Sequence, residues 1–179
     1  VAVTIIVERL LYLRAARISP PTLLPEVLAV ARRGQVEDDV LIQLEHNSPL
    51  GRVLAAGLRK RSAPPAQMRA AIEEAGRSVA HGLQRYLTAL GTVATLAPLL
   101  GLFGTVIGMI ELFGAQDISG ADPLKVAHGI SVALYNTAFG LAVAMPSLLF
   151  HRHFHAQVDS LVLDIEQQAE RFVDQLADA

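Results

Sequence analysis

The chain has 179 residues, of which 52% are hydrophobic and 18% are charged, and its formal net charge is -2. This charge makes the chain a poor electrostatic match for nucleic acid. The absence of cysteine excludes disulfides, iron–sulfur clusters and thiol catalysis. The charged residues cluster outside two long apolar runs, so the composition favours a membrane protein over a soluble domain.

The first element is an apolar segment that stops at Glu8 and Arg9. Seven residues are too few to cross a bilayer. Residues 1–8 are therefore interpreted as the end of a first transmembrane helix that starts before Val1. A signal-peptide remnant, which would need a basic start and a small-residue cleavage site, and a buried segment of a soluble protein are the alternatives.

Residues 9–85 are predicted to form short helices separated by prolines and glycines, including Gly34. Ser48-Pro49 is typical of a helix start, with serine as the N-cap and proline at the first helical position. Twelve of the fifteen Lys and Arg residues lie in this region. Because basic residues favour the cytoplasmic side, the region is predicted to be a cytoplasmic helical domain.

Two runs contain no Lys, Arg, Asp or Glu: Tyr86–Ile110 and Val126–His151. Each could form a helix of about 37 Å at ~1.5 Å per residue, longer than the roughly 30 Å hydrocarbon core of a bilayer. The prediction is an all-α membrane protein with three transmembrane helices, the first truncated, and long helices that extend into the cytoplasmic domain. Its remaining segments are a second transmembrane helix over 86–112, a periplasmic loop over 113–125, a third transmembrane helix over 126–150 and a C-terminal cytoplasmic helix over 151–179.

Two continuities are also predicted along these segments. No proline separates Pro65 from Pro98, so a helix starting at Pro65 is expected to run straight into the second span. A helix starting at Asp122-Pro123 is expected to continue to the C-terminus, with a kink but no break at Pro146.

The C-terminal segment has apolar residues at alternating spacings of four and three, typical of helix-to-helix packing. They are Val158, Val162, Ile165, Ala169, Phe172 and Leu176. This seam could pack against the cytoplasmic helices of the same chain or against neighbouring subunits, and the spacing does not choose between them.

Both predicted spans are rich in small residues rather than in the large apolar residues of a plain anchor. The residues assigned to helix packing are Gly101, Gly104, Gly108, Gly129 and Gly140. Gly104 and Gly108 have the GxxxG spacing that lets helix backbones approach closely. In the third span the small residues fall on one face about 100° wide, at 100° per residue.

Polar residues lie within the same spans. Thr105, Asn136 and Thr137 are near mid-membrane, and Tyr135 precedes the last two. Each threonine hydroxyl could bond to the carbonyl four residues earlier in its own helix. Three adjacent polar residues are nevertheless costly against lipid, so residues 135–137 are expected to face other helices or a wet path.

Three ionisable features stand at the ends of the spans. Glu111 and His128 are interpreted as interfacial groups, with a mouth of a proton path as the alternative for Glu111 and titration near neutral pH for His128. His151, His153 and His155 fall at the inner boundary. His151 and His155 share a helix face, so they could form a metal pair, or they could reach towards the interface without a metal.

Two stretches resemble a known family. Residues 97–109 (APLLGLFGTVIGM) are similar to the second transmembrane helix of the ExbB/TolQ/MotA proton-channel family, and residues 129–146 (GISVALYNTAFGLAVAMP) resemble its third. Both motifs occur in the expected order and separation, over about residues 87–160. The ExbB/TolQ branch is more similar than the MotA branch.

The resemblance implies a subunit of a proton-driven motor in the bacterial inner membrane, which couples the proton-motive force to TonB- or Tol-type work at the cell envelope. It implies a homo-oligomer, typically a pentamer, around ExbD/TolR-like single-span partners that carry a membrane Asp, and a TonB- or TolA-like protein beyond them. Thr105 and Thr137 match the two pore-facing threonines of the family. Asn136 and Tyr135 are expected beside them on the proton path, and the surrounding membrane lipid is a further partner.

One position departs from the family pattern. ExbB and TolQ usually carry a Glu in the third helix where this chain has Val132. Proton carriage would then rest on the Asp of the partner. The alternatives are a scaffold that conducts nothing, a specialised relative such as a gliding or defence motor subunit, and a soluble helical protein. No enzyme activity, cofactor, metal or nucleic-acid partner is predicted.

Overall fold

The computed structural model describes residues 1–32, 37–114 and 123–177. The described residues form helices and contain no strand, as the sequence predicts. Their helices are α1 (Ala2–Tyr12), α2 (Ala15–Ile18), α3 (Leu23–Arg32), α4 (Asp38–Asn47), α5 (Pro49–Arg59), α6 (Pro65–Leu83), α7 (Leu87–Gly114) and α8 (Pro123–Ala177). Most of the predicted periplasmic loop, and Gly34 in the cytoplasmic region, lie outside the described residues.

The chain divides into two compact units. Residues 1–6 and 86–153 form the first, which we call the helix-pair unit because α7 and the first part of α8 make it up. Residues 7–85 and 154–179 form the second, which we call the bundle unit. Helix α1 continues past Glu8 to Tyr12.

Two helical segments are long and apolar enough to cross a membrane. They are Pro65–Gly114 and Pro123–Leu176, whose most apolar 18-residue windows have mean hydropathies of 2.0 and 1.5. Only 11% and 17% of these windows are buried in the chain. A core helix of a soluble protein would be mostly buried, so the exposure favours helices whose apolar surface meets lipid or other subunits.

Proline does not end either long helix. Pro98 lies inside α7 and Pro146 inside α8, and α8 runs unbroken over 55 residues. The predicted continuation of this helix beyond Pro146 towards the C-terminus is therefore confirmed.

The helix that begins at Pro65 is interrupted before the second span. It ends at Leu83, and the next helix begins at Leu87. Between them Tyr86 has a positive φ of 64°. A residue with a side chain in this left-handed region costs roughly 1–2 kcal/mol and stops the regular pattern of helical hydrogen bonds. The expected straight run from Pro65 into the span is therefore wrong at residues 84–86.

The bundle unit has an ordinary apolar core. Ser48 caps α5 by accepting a hydrogen bond from the Gly51 amide at 3.0 Å, and Pro49 is the first helical residue, as predicted. The largest fully buried core side chains of this unit are Leu13, Ile18, Leu50, Leu54, Leu83, Phe154 and Phe172. A Cβ at Gly57 would lie 2.8 Å from Ile72 and 3.0 Å from Phe172, so glycine there lets both side chains pack closely on α5.

The C-terminal seam packs largely within this unit. Val158, Ile165, Ala169 and Phe172 are buried in the single chain. Val162 and Leu176 are only half-buried. Packing against helices of the same chain therefore accounts for the four buried positions of the seam.

Candidate functional site

Helices α7 and α8 of the helix-pair unit meet at a pair of glycines. A Cβ added to Gly101 would lie 2.7 Å from the Asn136 carbonyl oxygen and 3.2 Å from the Gly140 Cα. A Cβ added to Gly140 would lie 2.6 Å from the Ala97 carbonyl oxygen. Because these neighbours are backbone atoms that cannot rotate away, both positions require glycine for the helices to come this close.

The other glycines assigned to packing lie along the same contact. A Cβ at Gly104 would be 3.1 Å from the Asn136 side chain, and one at Gly108 would be 3.3 Å from Ala133. At Gly129 it would be 2.6 Å from the tip of Leu112. These three neighbours are side-chain atoms, so these positions are less restrictive than Gly101 and Gly140.

The two threonines meet across this contact. The hydroxyl oxygens of Thr105 and Thr137 are 2.6 Å apart, although the residues are 32 positions apart in the chain. Thr105 also donates to the Gly101 carbonyl at 3.0 Å, and Thr137 Oγ1 lies 3.4 Å from the same oxygen. Both side chains are half-buried. Each hydroxyl can donate one hydrogen bond and accept others, so either threonine can be the donor in the bond between them.

Thr105 therefore makes both kinds of contact that the sequence suggests, one within its own helix and one with another helix. Its bond to Gly101 is the local bond to the carbonyl four residues earlier, and its contact with Thr137 crosses to the other helix. Both hydroxyls lie near the Gly101 carbonyl oxygen, at 3.0 Å and 3.4 Å.

Of the remaining candidates, Asn136 borders the contact between α7 and α8, whereas Tyr135 and Val132 are exposed. Asn136 packs on Gly104 yet stays exposed. Tyr135 is 63% exposed and Val132 48% exposed. Successive helical residues are 100° apart, so Val132 and Asn136 share one side of α8 while Thr137 is turned towards α7.

Thr105 also borders a shallow apolar concavity on the outer side of α7. Its volume is about 540 Å³, and Thr105 is the polar member of its lining. The other lining residues are Leu102, Val106, Met109, Ile110 and Phe113. The Thr105 hydroxyl thus stands between the glycine contact on one side and an apolar surface on the other.

The ionisable candidates at the ends of the spans differ in their exposure. Glu111 and His128 are exposed. His151 is half-buried, and its Nδ1 lies 2.9 Å from the Leu87 carbonyl oxygen while its ring covers Gly91. The described residues contain no group of three or more side chains that could hold a metal ion.

Sequence reasoning missed the role of His151 in joining the two helices. Gly140, Ala144, Ser147 and His151 follow one another at spacings of four, three and four on the packed face of α8. Ser147 is fully buried and donates to the Val143 carbonyl at 2.7 Å. Continuing the small-residue face by one helical turn would have identified His151 as a contact residue.

The model of the MotA/TolQ/ExbB proton channel family matches residues 45–167, which include the glycine contact and the threonine pair. The chain belongs to this family. It is therefore a member of a membrane-embedded channel family, and the two long apolar helices are consistent with that setting.

Individual relatives carry ExbB and TolQ names. The chain is 30% identical over 158 residues to the biopolymer transport protein ExbB-like 3 of Synechocystis, covering 87% of this chain and 75% of the relative. It is 29% identical over 160 residues to an ExbB homologue of Methanothermobacter thermautotrophicus, which covers 89% of this chain and 57% of the relative. The TolQ protein of Pseudomonas aeruginosa is 38% identical over 81 residues, 45% of this chain and 35% of the relative.

Proposed function

We propose that this member of the ExbB/TolQ family is the channel-forming subunit of a proton-driven motor in the bacterial inner membrane. It forms a homo-oligomer, a pentamer by family resemblance, around an ExbD/TolR-like single-span partner. The motor energises TonB- or Tol-type work at the envelope through a TonB- or TolA-like protein. The observation that carries the proposal is the 2.6 Å contact between Thr105 and Thr137 within a helix pair of otherwise apolar and small residues.

The chemistry of the threonine pair supports a role beside a proton path. Two hydroxyls and one carbonyl share a small space, and a carboxylate of the partner could accept a hydrogen bond from either hydroxyl. A hydroxyl also exchanges its donor and acceptor roles by rotating about one bond. This lets the pair follow a partner Asp between its charged and neutral forms without moving the backbone.

Val132 is the reason why the proposal places the titrating group on the partner. With valine at the position where the family usually has Glu, the proposed path takes its carboxylate from the partner helix. Asn136 lies one turn from Val132 on the same side of α8, so its amide is a polar group on the side of the helix where Val132 lies. Tyr135 adds a phenol on the neighbouring, exposed surface.

The test replaces both hydroxyls with methyl groups of similar shape. The complex of the full chain with its partner is reconstituted in proteoliposomes with Thr105→Val plus Thr137→Val, and proton flux is measured with a pH-sensitive dye. We expect a loss of at least about tenfold, because one lost hydrogen bond to a charged group is worth roughly 1.5–3 kcal/mol. Thr105→Ser plus Thr137→Ser, which keeps both hydroxyls, is expected to retain most of the flux.

The matched control is Thr92→Val plus Thr95→Val on the same helix. These hydroxyls are exposed and bond to carbonyls of α7 itself, at 2.9 Å and 3.0 Å. Unchanged flux in the Thr105 and Thr137 double variant, or an equal loss in the control, contradicts the proposed path.

A scaffold that conducts nothing is the second candidate, and the apolar Val132 is the observation that favours it. A scaffold gives no flux above protein-free vesicles in any variant, even with the partner present. In that case the threonine pair would serve only to join α7 and α8.

A further inference from the structure

The bundle unit contains a small polar pocket that the channel function does not use. Its volume is about 210 Å³, below the roughly 300–1,000 Å³ of sites for drug-sized ligands. Polar and basic side chains line it from three parts of the unit: Arg17, His46, Asn47, Ser48, Arg52 and Ser78. This size suits one small group with several hydrogen-bond acceptors.

The two arginines of the pocket have no carboxylate partner in the described part of the chain. Neither Arg17 nor Arg52 has a carboxylate oxygen within 4.0 Å. Glu8 pairs with Arg9 at 2.7 Å, and Glu45, which precedes the lining residue His46, pairs with Arg59 at 3.1 Å. The pocket therefore keeps an uncompensated positive charge.

Arg9, whose charge Glu8 compensates, helps to fix the wall of the pocket. The guanidinium of Arg17 lies 5.6 Å from the centre of the Tyr12 ring, and that of Arg9 lies 5.1 Å from the same centre. Arg9 is itself only 3% exposed and donates to the Leu83 carbonyl at 3.2 Å. Tyr12 and Leu83 both line the pocket, so the buried Arg9 contacts two of the residues that form its wall.

The turn between α4 and α5 fixes the remaining wall. Ser48 accepts a hydrogen bond from the Gly51 amide, which leaves its own O–H able to donate. A Cβ at Gly51 would clash with the Leu44 carbonyl oxygen, so glycine is required for α5 to start this close to α4. Ser48 and Arg52 are thereby held on the same helical turn, facing one space.

We propose that this pocket binds a phosphate group, either of an anionic phospholipid headgroup or of inorganic phosphate. A guanidinium presents a planar fork of N–H donors that matches two phosphate oxygens, and two arginines line this pocket together with residues that carry hydroxyl and amide donors. A lipid is a natural source because the family is membrane-embedded. Leu83 also stands only four residues before the start of the apolar helix α7.

The test measures binding to the full chain, purified in mild detergent with its partner. Short-chain phosphatidylglycerol, short-chain phosphatidylcholine and sodium phosphate are titrated separately, and bound ligand is counted by native mass spectrometry. We expect phosphatidylglycerol or phosphate to bind, and Arg17→Gln plus Arg52→Gln to weaken that binding by about tenfold or more. The affinity is expected to fall as salt is raised.

The control removes the same charge elsewhere. Arg32→Gln plus Lys60→Gln alters two residues that are exposed, as Arg17 and Arg52 are, but lie outside the pocket, and it should leave the affinity within twofold of the unaltered chain. Arg17→Lys plus Arg52→Lys keeps the charge but not the fork, so it should bind with intermediate affinity. This pair also keeps the test decisive if the glutamine variant does not fold.

The outcomes separate the sources and can overturn the proposal. Binding of phosphatidylglycerol alone assigns the pocket to a lipid headgroup, and equal binding of inorganic phosphate assigns it to the phosphate group itself. Equal affinity for phosphatidylcholine and phosphatidylglycerol in every variant overturns the proposal. So does an unchanged affinity in both pocket variants, or an equal loss in the Arg32 and Lys60 control.

Discussion

The helix-pair unit and the bundle unit differ in the exposure of the phenylalanines on their long helices. In the helix pair, glycine and alanine face the partner helix while Phe103 and Phe139 are 61% and 71% exposed. In the bundle, Phe154 and Phe172 are fully buried. The difference indicates that the two units are built for different surroundings, since water would penalise the exposed surface of the first at roughly 25 cal/mol per Å².

The units also differ in what brings their helices together. In the bundle, burial of large side chains supplies the free energy, and glycine at Gly57 only makes room for them. Where lipid replaces water, burial of apolar groups gives no comparable gain. The contact of α7 and α8 therefore depends on backbone proximity at Gly101 and Gly140 and on the hydroxyl pair.

The largest effect is expected from one substitution made in both units. Phe172→Ala should lower the free energy of unfolding of the bundle by about 3–5 kcal/mol, because it empties a fully buried core position. Phe139→Ala should change the free energy of unfolding of the protein by less than about 0.5 kcal/mol, since the Phe139 side chain is mostly exposed in the single chain. Guanidinium unfolding of the detergent-solubilised protein measures both. Equal effects would mean that the exposed face of α8 is a protein core in the assembly.

The next effect tests the glycine contact. Gly101→Leu should destabilise the α7–α8 pair by about 1–3 kcal/mol or more, because the neighbouring atoms belong to the backbone of α8. Gly114→Leu is the control on the same helix, where a Cβ meets no atom within 4 Å. Disulfide crosslinking between cysteines placed at Gly108 and Ala133, whose Cβ atoms would lie 3.3 Å apart, reports the contact. Unchanged crosslinking in the Gly101 variant would disprove the requirement for glycine.

The smallest effect concerns a polar cluster in the bundle. Ser19 is buried, and its hydroxyl lies 2.5 Å from Asp164 Oδ2 and 2.6 Å from Gln168 Nε2, which itself bonds to Asp164 at 3.0 Å. Ser19→Ala should cost about 0.5–1.5 kcal/mol, since the other two side chains keep each other as partners. Faster hydrogen exchange of peptides around residues 154–177 would show the loss. Ser160→Ala, at an exposed position of α8, should leave the exchange rates unchanged.

The sequence predicted the helical fold because the relevant patterns are local. The uncharged runs, the seam from Val158 to Leu176 and the N-cap at Ser48 can each be recognised within a short window of residues. The break at Tyr86 could not be predicted this way. No glycine or proline marks it, and its positive φ opposes the ordinary preference of a tyrosine.

The candidate site was predictable as a set of residues but not as an arrangement. Thr105, Thr137 and the five glycines followed from polarity, spacing and family resemblance. Periodicity also placed Thr137 on the face of small residues, which in the structure is the face turned to α7. It did not place Tyr135 or Val132 on the exposed side of that helix, because the sequence alone does not say which surface the rest of the chain covers.

By itself, the sequence determined the two apolar helices and the motifs by which the chain resembles the proton-channel family, because composition and local spacing encode these. Only the tertiary structure decided that Thr105 and Thr137 share the Gly101 carbonyl and that His151 reaches Leu87. It alone decided that Arg17 and Arg52 face one pocket. Such contacts depend on the rotation and register of one helix against another, which are set by packing between residues far apart in the chain.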